Sequence, residues 1–369
     1  MAKNKEGLRD SYFLKQTLQL AQKARGCTNP NPMVGAIIVK NGKIIGQGYH
    51  KKYGGPHAET EALKSVKSNP QGTTLYVNLE PCCHYGKTPP CVKAIIEAKI
   101  KKVVFITEDP NPKVAGQGKK QLEQAGIEVA INKDLEEKAR ELNEAFFTFF
   151  EKKRPLVVLK FASSLDGKIA TASGESKWIT NTEARSQARA LRTQYQAILV
   201  GINTVIADNP HLGARSKKAK DPIRIILDPQ LLIPLNSQIL RDQNVLIFTT
   251  IFCNNKKKEN LEQKGFQIVQ FPNKIISIKQ ILTELTKRNI ISLLIEGGSQ
   301  TLGNFVDNKT VDKIYAFYAP IIIGGQTALG AIGGQGVKKL QESFRLTKLS
   351  IKKIGDNFLV TGQPTINKN

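Results

Sequence analysis

Three of the chain's five cysteines fall within the eleven residues Pro81-Cys82-Cys83-His84-Tyr85-Gly86-Lys87-Thr88-Pro89-Pro90-Cys91. Five cysteines in 369 residues are too few for a disulfide-stapled framework, so the clustering points to metal or redox chemistry. About 25 residues before Cys82, Gly54-Gly55-Pro56 turns the chain into a helix that opens His57-Ala58-Glu59. Positions i and i+2 do not share a helix face. His57 and Glu59 therefore converge only if His57 lies at the helix entrance, where the backbone is still turning. On the other side, Pro90 suits the first position of a helix and places Cys91 in its first turn, where the helix dipole favours thiolate. If His57, Cys82 and Cys91 must meet at one ion, two helix starts are tied together.

The surrounding pattern supplies elements to carry that arrangement. Leu14, Leu18 and Ala21 make an apolar stripe in a helix from about Ser11 to Arg25, with Gly26 as its C-cap. VGAIIVK and KIIGQGY flank Asn41-Gly42, a dipeptide that favours a type I′ hairpin. Helices HAETEALKSV, CVKAIIEAK and KKQLEQAG then alternate with strands TTLYVNL, KVVFIT and IEVAI, which argues for a layered α/β sheet with parallel connections. A helix over about Leu135 to Phe150 closes this unit. The charge run and proline of EKKRP, residues 151–155, break it, and strand LVVLKFA starts afresh. The sequence thus divides into domains 1–152 and 153–369. The second alternates again, through helices near Glu183–Thr193, Ile278–Lys287 and Gln300–Val306 and strands QAILVG, IRIILD, NVLIFTT, SLLIEGG and KIYAFYA. No repeat relates the halves.

At this length two cores are expected rather than one. The start MAKNKEGLRD is charged, and no uncharged apolar run nears the roughly 18 residues that span a bilayer; a cytoplasmic protein with no membrane partner is expected. The net charge of +24 raises the question of nucleic acid. Residues 1–150 hold 23 Lys+Arg against 15 Asp+Glu, and the rest 32 against 16, so the charge is diffuse. Its longest run, Lys256-Lys257-Lys258, reads as a solvated loop. A diffuse positive field draws small anions such as phosphates and dinucleotides.

One imidazole and two thiolates on Zn²⁺ leave a fourth position for water, the open geometry of a catalytic site. Zinc lowers the pKa of that water from about 15.7 to roughly 7, and Glu59 is placed to shuttle the proton. A His-x-Glu followed by Pro-Cys and a second Cys is the signature of zinc nucleobase deaminases, in which the glutamate is not a ligand. The plainer alternative is a closed structural site completed by Cys83 or His84, but such a site has no need of Glu59. Cys83 and His84 are instead expected to pack or to touch substrate, and Cys27 and Cys253 to be ordinary thiols.

Deaminases acting on tRNA or free nucleosides usually carry Cys-x-x-Cys, whereas eight residues separate Cys82 from Cys91. Here the chain resembles the bifunctional deaminase/reductase family of riboflavin biosynthesis, whose loop reads Pro-Cys-x-His-x-Gly-(Arg or Lys)-Thr-Pro-Pro-Cys. Asn29-Pro30-Asn31-Pro32-Met33-Val34-Gly35 is similar to that family's substrate loop. The blocks Ser-Leu-Asp-Gly, Ser-Gly-Glu-Ser-x-Trp-Ile-Thr, Leu-Arg, Asp-x-Pro-x-Leu-x-x-Arg and Glu-Gly-Gly follow in order through the second half. The resemblance implies a cytidine-deaminase-like three-layer α/β/α domain followed by a dihydrofolate-reductase-like α/β domain. It implies Zn²⁺ and NADPH as cofactors and a small phosphorylated pyrimidine as substrate, with self-association left open. Carried over by position, Ser176, Arg192, Leu212, Arg215 and Glu296 are implied substrate contacts. Ala162, Trp178, Thr204, Asp208 and the turn Gly298, Ser299, Gln300, Thr301, Leu302, Gly303 and Asn304 are implied NADP contacts. Physically, Arg192 and Arg215 suit phosphate through their guanidinium forks, and Gly-Gly-Ser ahead of a helix suits a phosphate at the helix N-terminus. Many relatives have Asp-Asp-Pro where this chain has Asp208-Asn209-Pro210. Lys160 reads either as a group polarising substrate or as a snorkelling strand lysine. Two other readings compete: a tRNA-editing deaminase, and a second half that binds nucleotide as a regulatory module without turnover.

Overall fold

A computed structural model of the chain describes residues 2–214 and 220–366. The chain forms two compact units, Met1–Lys153 and Arg154–Asn369.

The first unit runs α1 (Ala2–Gln22), β1 (Gly35–Lys40), β2 (Lys43–Tyr49), α2 (Ala58–Ser65), β3 (Thr74–Val77), α3 (Cys91–Glu97), β4 (Lys102–Phe105), α4 (Gln117–Gln124), β5 (Glu128–Ile131), α5 (Glu136–Leu142) and α6 (Glu144–Lys152). Asn41 and Gly42 both take positive φ, as a type I′ turn requires. The strand order is β2-β1-β3-β4-β5, antiparallel at the hairpin and between β1 and β3, parallel from β3 to β5. The central strands β1, β3 and β4 are apolar on both faces because both faces are covered. Ile38, Leu75, Val103 and Phe105 pack with Ala62, Ile95 and Leu122 of α2, α3 and α4. On the opposite face, Ile37, Tyr76 and Val104 pack with Leu14, Leu18 and Ala139 of α1 and α5. The result is a three-layer α/β/α unit. A Cβ at Gly48 would stand 2.4 Å from the Ala62 backbone nitrogen, so only glycine lets α2 lie this close to β2.

Two expectations need correction here. The helix predicted over Leu135 to Phe150 is two helices, broken at Asn143, because that side chain has tertiary work: it accepts from Met33 N–H at 2.7 Å and donates to Met33 O at 3.0 Å. Pro90 is the N-cap of α3 rather than its first residue, which leaves the Cys91 N–H as the first free donor.

The second unit comprises β6 (Leu156–Ser164), α7 (Thr182–Leu191), β7 (Ala197–Gly201), α8 (Ile202–Asp208), β8 (Ile223–Leu227), β9 (Val245–Thr250), α9 (Asn255–Gln263), β10 (Gln267–Phe271), α10 (Ile278–Lys287), β11 (Ser292–Ile295), α11 (Ser299–Asp307), β12 (Lys313–Ala319), β13 (Phe344–Ile354) and β14 (Asn357–Ile366). Its strand order is β10-β9-β8-β7-β11-β6-β12-β14-β13, parallel as far as β12 and antiparallel beyond. Since β11 inserts between β7 and β6, the winding direction switches there, and in open α/β sheets ligands bind outside the carboxyl ends of the strands at such a switch. Val157, Leu159, Leu199 and Leu293 pack with Ile281, Leu285 and Phe305 of α10 and α11. Arg154 opens the unit with a two-pronged pair to Asp312 at 2.6 and 2.9 Å, while Asp312 also accepts from Val157 N–H.

The lysine run 256–258 is not a loop. It lies in the first turns of α9, where Asn254 caps the Lys257 N–H and Lys258 pairs with Glu262 at 3.0 Å. Only Leu261 of this helix is buried, so no apolar stripe advertises it.

Candidate active sites

His57 is the N-cap of α2, with extended dihedrals (φ −77°, ψ 165°), so its ring leaves the helix axis before the helical turn begins. Glu59 follows in the first turn and is 3% exposed. Cys91 is the first residue of α3, and Cys82 sits in the loop after β3. His57 Nδ1 lies 3.2 Å from Cys91 Sγ and 3.4 Å from Cys82 Sγ, and the three donor atoms fall within 4.8 Å of one another. Thr88 Oγ1, 3.2 Å from His57 Nε2, holds the outer side of the ring, which turns Nδ1 to the thiols. The Cys91 backbone N–H points at Cys82 Sγ at 3.4 Å.

The donors share hydrogen bonds, so the titration of each depends on its neighbours. A hydrogen bond from the Cys91 thiol holds Cys82 down to about 4, and the same bond, with burial, pushes Cys91 up. The hydrogen bond to Cys82 raises His57. Burial, with the Cys82 charge, raises Glu59. Among the described residues neither Cys83 nor His84 joins the group: Cys83 Sγ points to the Lys113 carbonyl at 3.5 Å, and buried His84 Nδ1 has no protein partner.

The group opens on a cavity of about 420 Å³. Asn31 lines it, and its amide nitrogen lies 3.2 Å from His50 Nε2, while His50 Nδ1 meets the Pro56 carbonyl at 2.9 Å. Nδ1 thus donates and Nε2 accepts, which leaves the Asn31 carbonyl for other use. Asp109 and Asn111 line the far side. Burial pushes the Asp109 carboxyl up to about 7, helped by Glu80 and Cys82 and opposed by the Asn111 N–H that it accepts at 2.8 Å. Glu80 in turn accepts from the backbone of Asp109, Gly116 and Lys119. His50, Thr88 and Asp109 were not singled out by sequence reasoning. Thr88 at least lay inside the cysteine loop, but Asp109 sits in EDPNP, which reads only as a turn.

In the second unit Ala162 lies near the carboxyl end of β6, Thr204 in the helix after β7, and Glu296 and Gly298 just after β11. Arg192 and Glu296 pair with each other, Nε and Nη2 each at 2.9 Å from a carboxylate oxygen, and Lys160 Nζ stands 3.6 Å from the same carboxylate. Lys160 therefore does not snorkel. Burial opposes ionisation of Glu296, but the Arg192 and Lys160 charges prevail and hold it below the ordinary carboxylate range. Thr204 Oγ1 lies 3.2 and 3.3 Å from where Cβ atoms of Gly297 and Gly298 would stand, so the turn before α11 is bare backbone against a hydroxyl. The residues Ser299, Gln300, Thr301, Leu302, Gly303 and Asn304 form the first turns of α11. Trp178 is 69% exposed, with the Arg185 guanidinium 4.6 Å over its ring, and neighbouring Lys177 pairs with Asp208 at 3.4 Å. Ala162 and Ser176 are half-buried, and Leu212 is buried with φ +53°. Asn209 takes a left-handed conformation that suits Asn and accepts from Gln238 N–H at 2.7 Å, a role that needs no second carboxylate. Arg215 lies outside the described residues.

Residues 8–107 match the cytidine and deoxycytidylate deaminase zinc-binding region, and residues 155–360 match the RibD C-terminal domain. The chain is 45% identical over 352 residues to the riboflavin biosynthesis protein RibD of Aquifex aeolicus, covering 95% of this chain and 97% of that one. Among solved structures, Acinetobacter baumannii RibD superposes with a TM-score of 0.90 at 36% identity, covering 98% of this chain and all of the other. The Thermotoga maritima diaminohydroxyphosphoribosylaminopyrimidine deaminase/5-amino-6-(5-phosphoribosylamino)uracil reductase gives 0.84 at 38% identity over 98% of this chain.

Proposed function

Because the chain belongs to the RibD family of riboflavin biosynthesis, enzymes that join a zinc-dependent pyrimidine deaminase to an NADPH-dependent reductase, we propose how its own residues divide the two reactions. The first unit removes the 2-amino group of 2,5-diamino-6-(5-phosphoribosylamino)pyrimidin-4(3H)-one as ammonia. The second reduces the ribosyl group of the product to ribityl, giving 5-amino-6-(5-phosphoribitylamino)uracil.

Two thiols and an imidazole nitrogen, one thiol already favouring thiolate, fit Zn²⁺. When bound there, zinc makes water acidic enough to supply hydroxide near neutral pH. Glu59, buried and with its carboxyl raised, would hold a proton beside that site and hand it to the departing amino group. Asn31, Asp109 and Asn111 present polar atoms to the edge of the pyrimidine, and Lys87 at the cavity mouth takes its phosphate. In the second unit the Gly297-Gly298 turn and the N-terminus of α11 fit the phosphates of NADPH, with Trp178, Thr204 and Asp208 beside them; the cofactor supplies the hydride. The charge of Glu296 fixes Arg192 and Lys160 in place for the phosphorylated sugar.

A cavity of about 420 Å³ matches a small-molecule site, which supports a free pyrimidine over tRNA as the partner. Among the described residues no helix is long and apolar enough to cross a membrane, and we place the enzyme in the cytoplasm. The observation carrying this reading is the convergence of His57, Cys82 and Cys91 beside buried Glu59. Glu59→Gln should reduce ammonia release by roughly 10²- to 10⁴-fold while NADPH oxidation on pre-deaminated substrate is unchanged. Parallel loss of both activities would refute the division of labour.

A further inference from the structure

Lys87 stands at the mouth of the deaminase cavity, on the loop between Cys82 and Cys91, with its ammonium 4.3 Å from the centroid of the Tyr53 ring. Nearby Lys51 is tied to Glu61, but among the described residues no carboxylate lies within ion-pair distance of Lys87. The turn carrying Tyr53 is anchored: its backbone N–H donates to the Cys27 carbonyl at 3.2 Å, and Gly55 N–H closes on Lys52 O at 3.0 Å. Between them lies Gly54, at φ +78°, where a Cβ would stand 3.4 Å from Lys87 Cδ, so the lysine stem runs at van der Waals distance along the backbone.

A cation held by a carboxylate meets an incoming anion already neutralised. A ring face attracts the ammonium through its quadrupole yet leaves the charge whole and its other side open to the cavity. A phosphate can then engage Lys87 without displacing a competing anion.

We propose that Tyr53 is a positioning residue of the deaminase site: its ring seats the unpaired Lys87 ammonium at the cavity mouth, where the substrate's phosphate is received. This rests on the assignment of the phosphate to Lys87 above. The test is a cycle of Tyr53→Leu, Tyr53→Phe, Lys87→Gln and the double variant Tyr53→Leu/Lys87→Gln in the full chain. Deaminase KM and kcat are measured on the phosphorylated substrate and on its dephosphorylated form, and ribose 5-phosphate binding is followed by calorimetry. Tyr53→Leu should raise KM for the phosphorylated substrate about three- to five-fold with kcat unchanged, and weaken ribose 5-phosphate binding to match. The dephosphorylated form should show no such loss. Tyr53→Phe should restore the wild-type KM, and Tyr53→Leu should add nothing in the Lys87→Gln background. Equal losses on both substrates, additivity in the double variant, or a Phe variant as impaired as Leu would each overturn the positioning role alone. An unchanged KM in Lys87→Gln would overturn the phosphate assignment beneath it as well.

Discussion

Glu59 and Asp109 are two carboxyls lining one cavity, and burial is the first cause raising each. They differ in what surrounds them. Glu59 interacts with His57, Cys82 and Cys91 of the donor group, whereas Asp109 is fixed by the Asn111 N–H with the Glu80 charge nearby. The folded protein therefore binds the Asp109 proton more tightly than the unfolded chain does. Stability held by the protonated carboxyl is present below about pH 4 and is lost as the pH rises towards about 7. Asp109→Asn has no proton to lose. In the zinc-free protein its advantage over wild type should be absent at pH 4, grow through the interval and level above pH 7, at no more than roughly 4 kcal/mol. Urea midpoints of the first unit across this range check it, and a constant difference at all pH values would contradict the assignment. The Asp109 chemistry is invisible in EDPNP, because its burial comes from elements distant in the chain.

At the scale of elements, the break between α5 and α6 shows local propensity yielding to a distant partner. The apolar periodicity from Leu135 to Phe150 predicts one helix, and both observed pieces lie within or near that span. Asn143 interrupts it because its side chain pairs with both backbone groups of Met33, 110 residues away, next to the cavity-lining Pro32. Asn78 reinforces the same loop, donating to Met33 O and accepting from Gly35 N–H. Asn143→Ala favours a continuous helix but strips Met33 of that pairing. It should lower the stability of the first unit by about 1–3 kcal/mol and raise the deaminase KM, leaving NADPH oxidation on pre-deaminated substrate untouched. Denaturant unfolding together with the two half-reaction assays reads both effects. The hairpin at Asn41-Gly42 is the opposite case: its geometry is set by two adjacent residues, and it was legible directly.

For the whole molecule, each unit has its own sheet and its own buried clusters. Metal bound at His57, Cys82 and Cys91, all of them in the first unit, would therefore stabilise that unit by mass action. Chelation should lower the first unit's unfolding midpoint and abolish ammonia release, while the second unit's midpoint and its NADPH oxidation stay constant. A joint shift of both transitions would count against independent cores. Read alone, the sequence determined the cluster of candidate donors His57, Cys82 and Cys91 with Glu59 beside it, the alternation of apolar strands with helices, and the break near residue 153. Each depends on residue chemistry or on periodicity over a few turns of chain. Tertiary structure alone decided that β11 inserts between β7 and β6, that Arg192 and Lys160 share Glu296 across more than a hundred residues, and that Asp109 reaches the deaminase cavity. Those outcomes depend on which strands become neighbours. That is settled by the burial of entire faces, a sum over the whole unit that no local stretch of sequence carries.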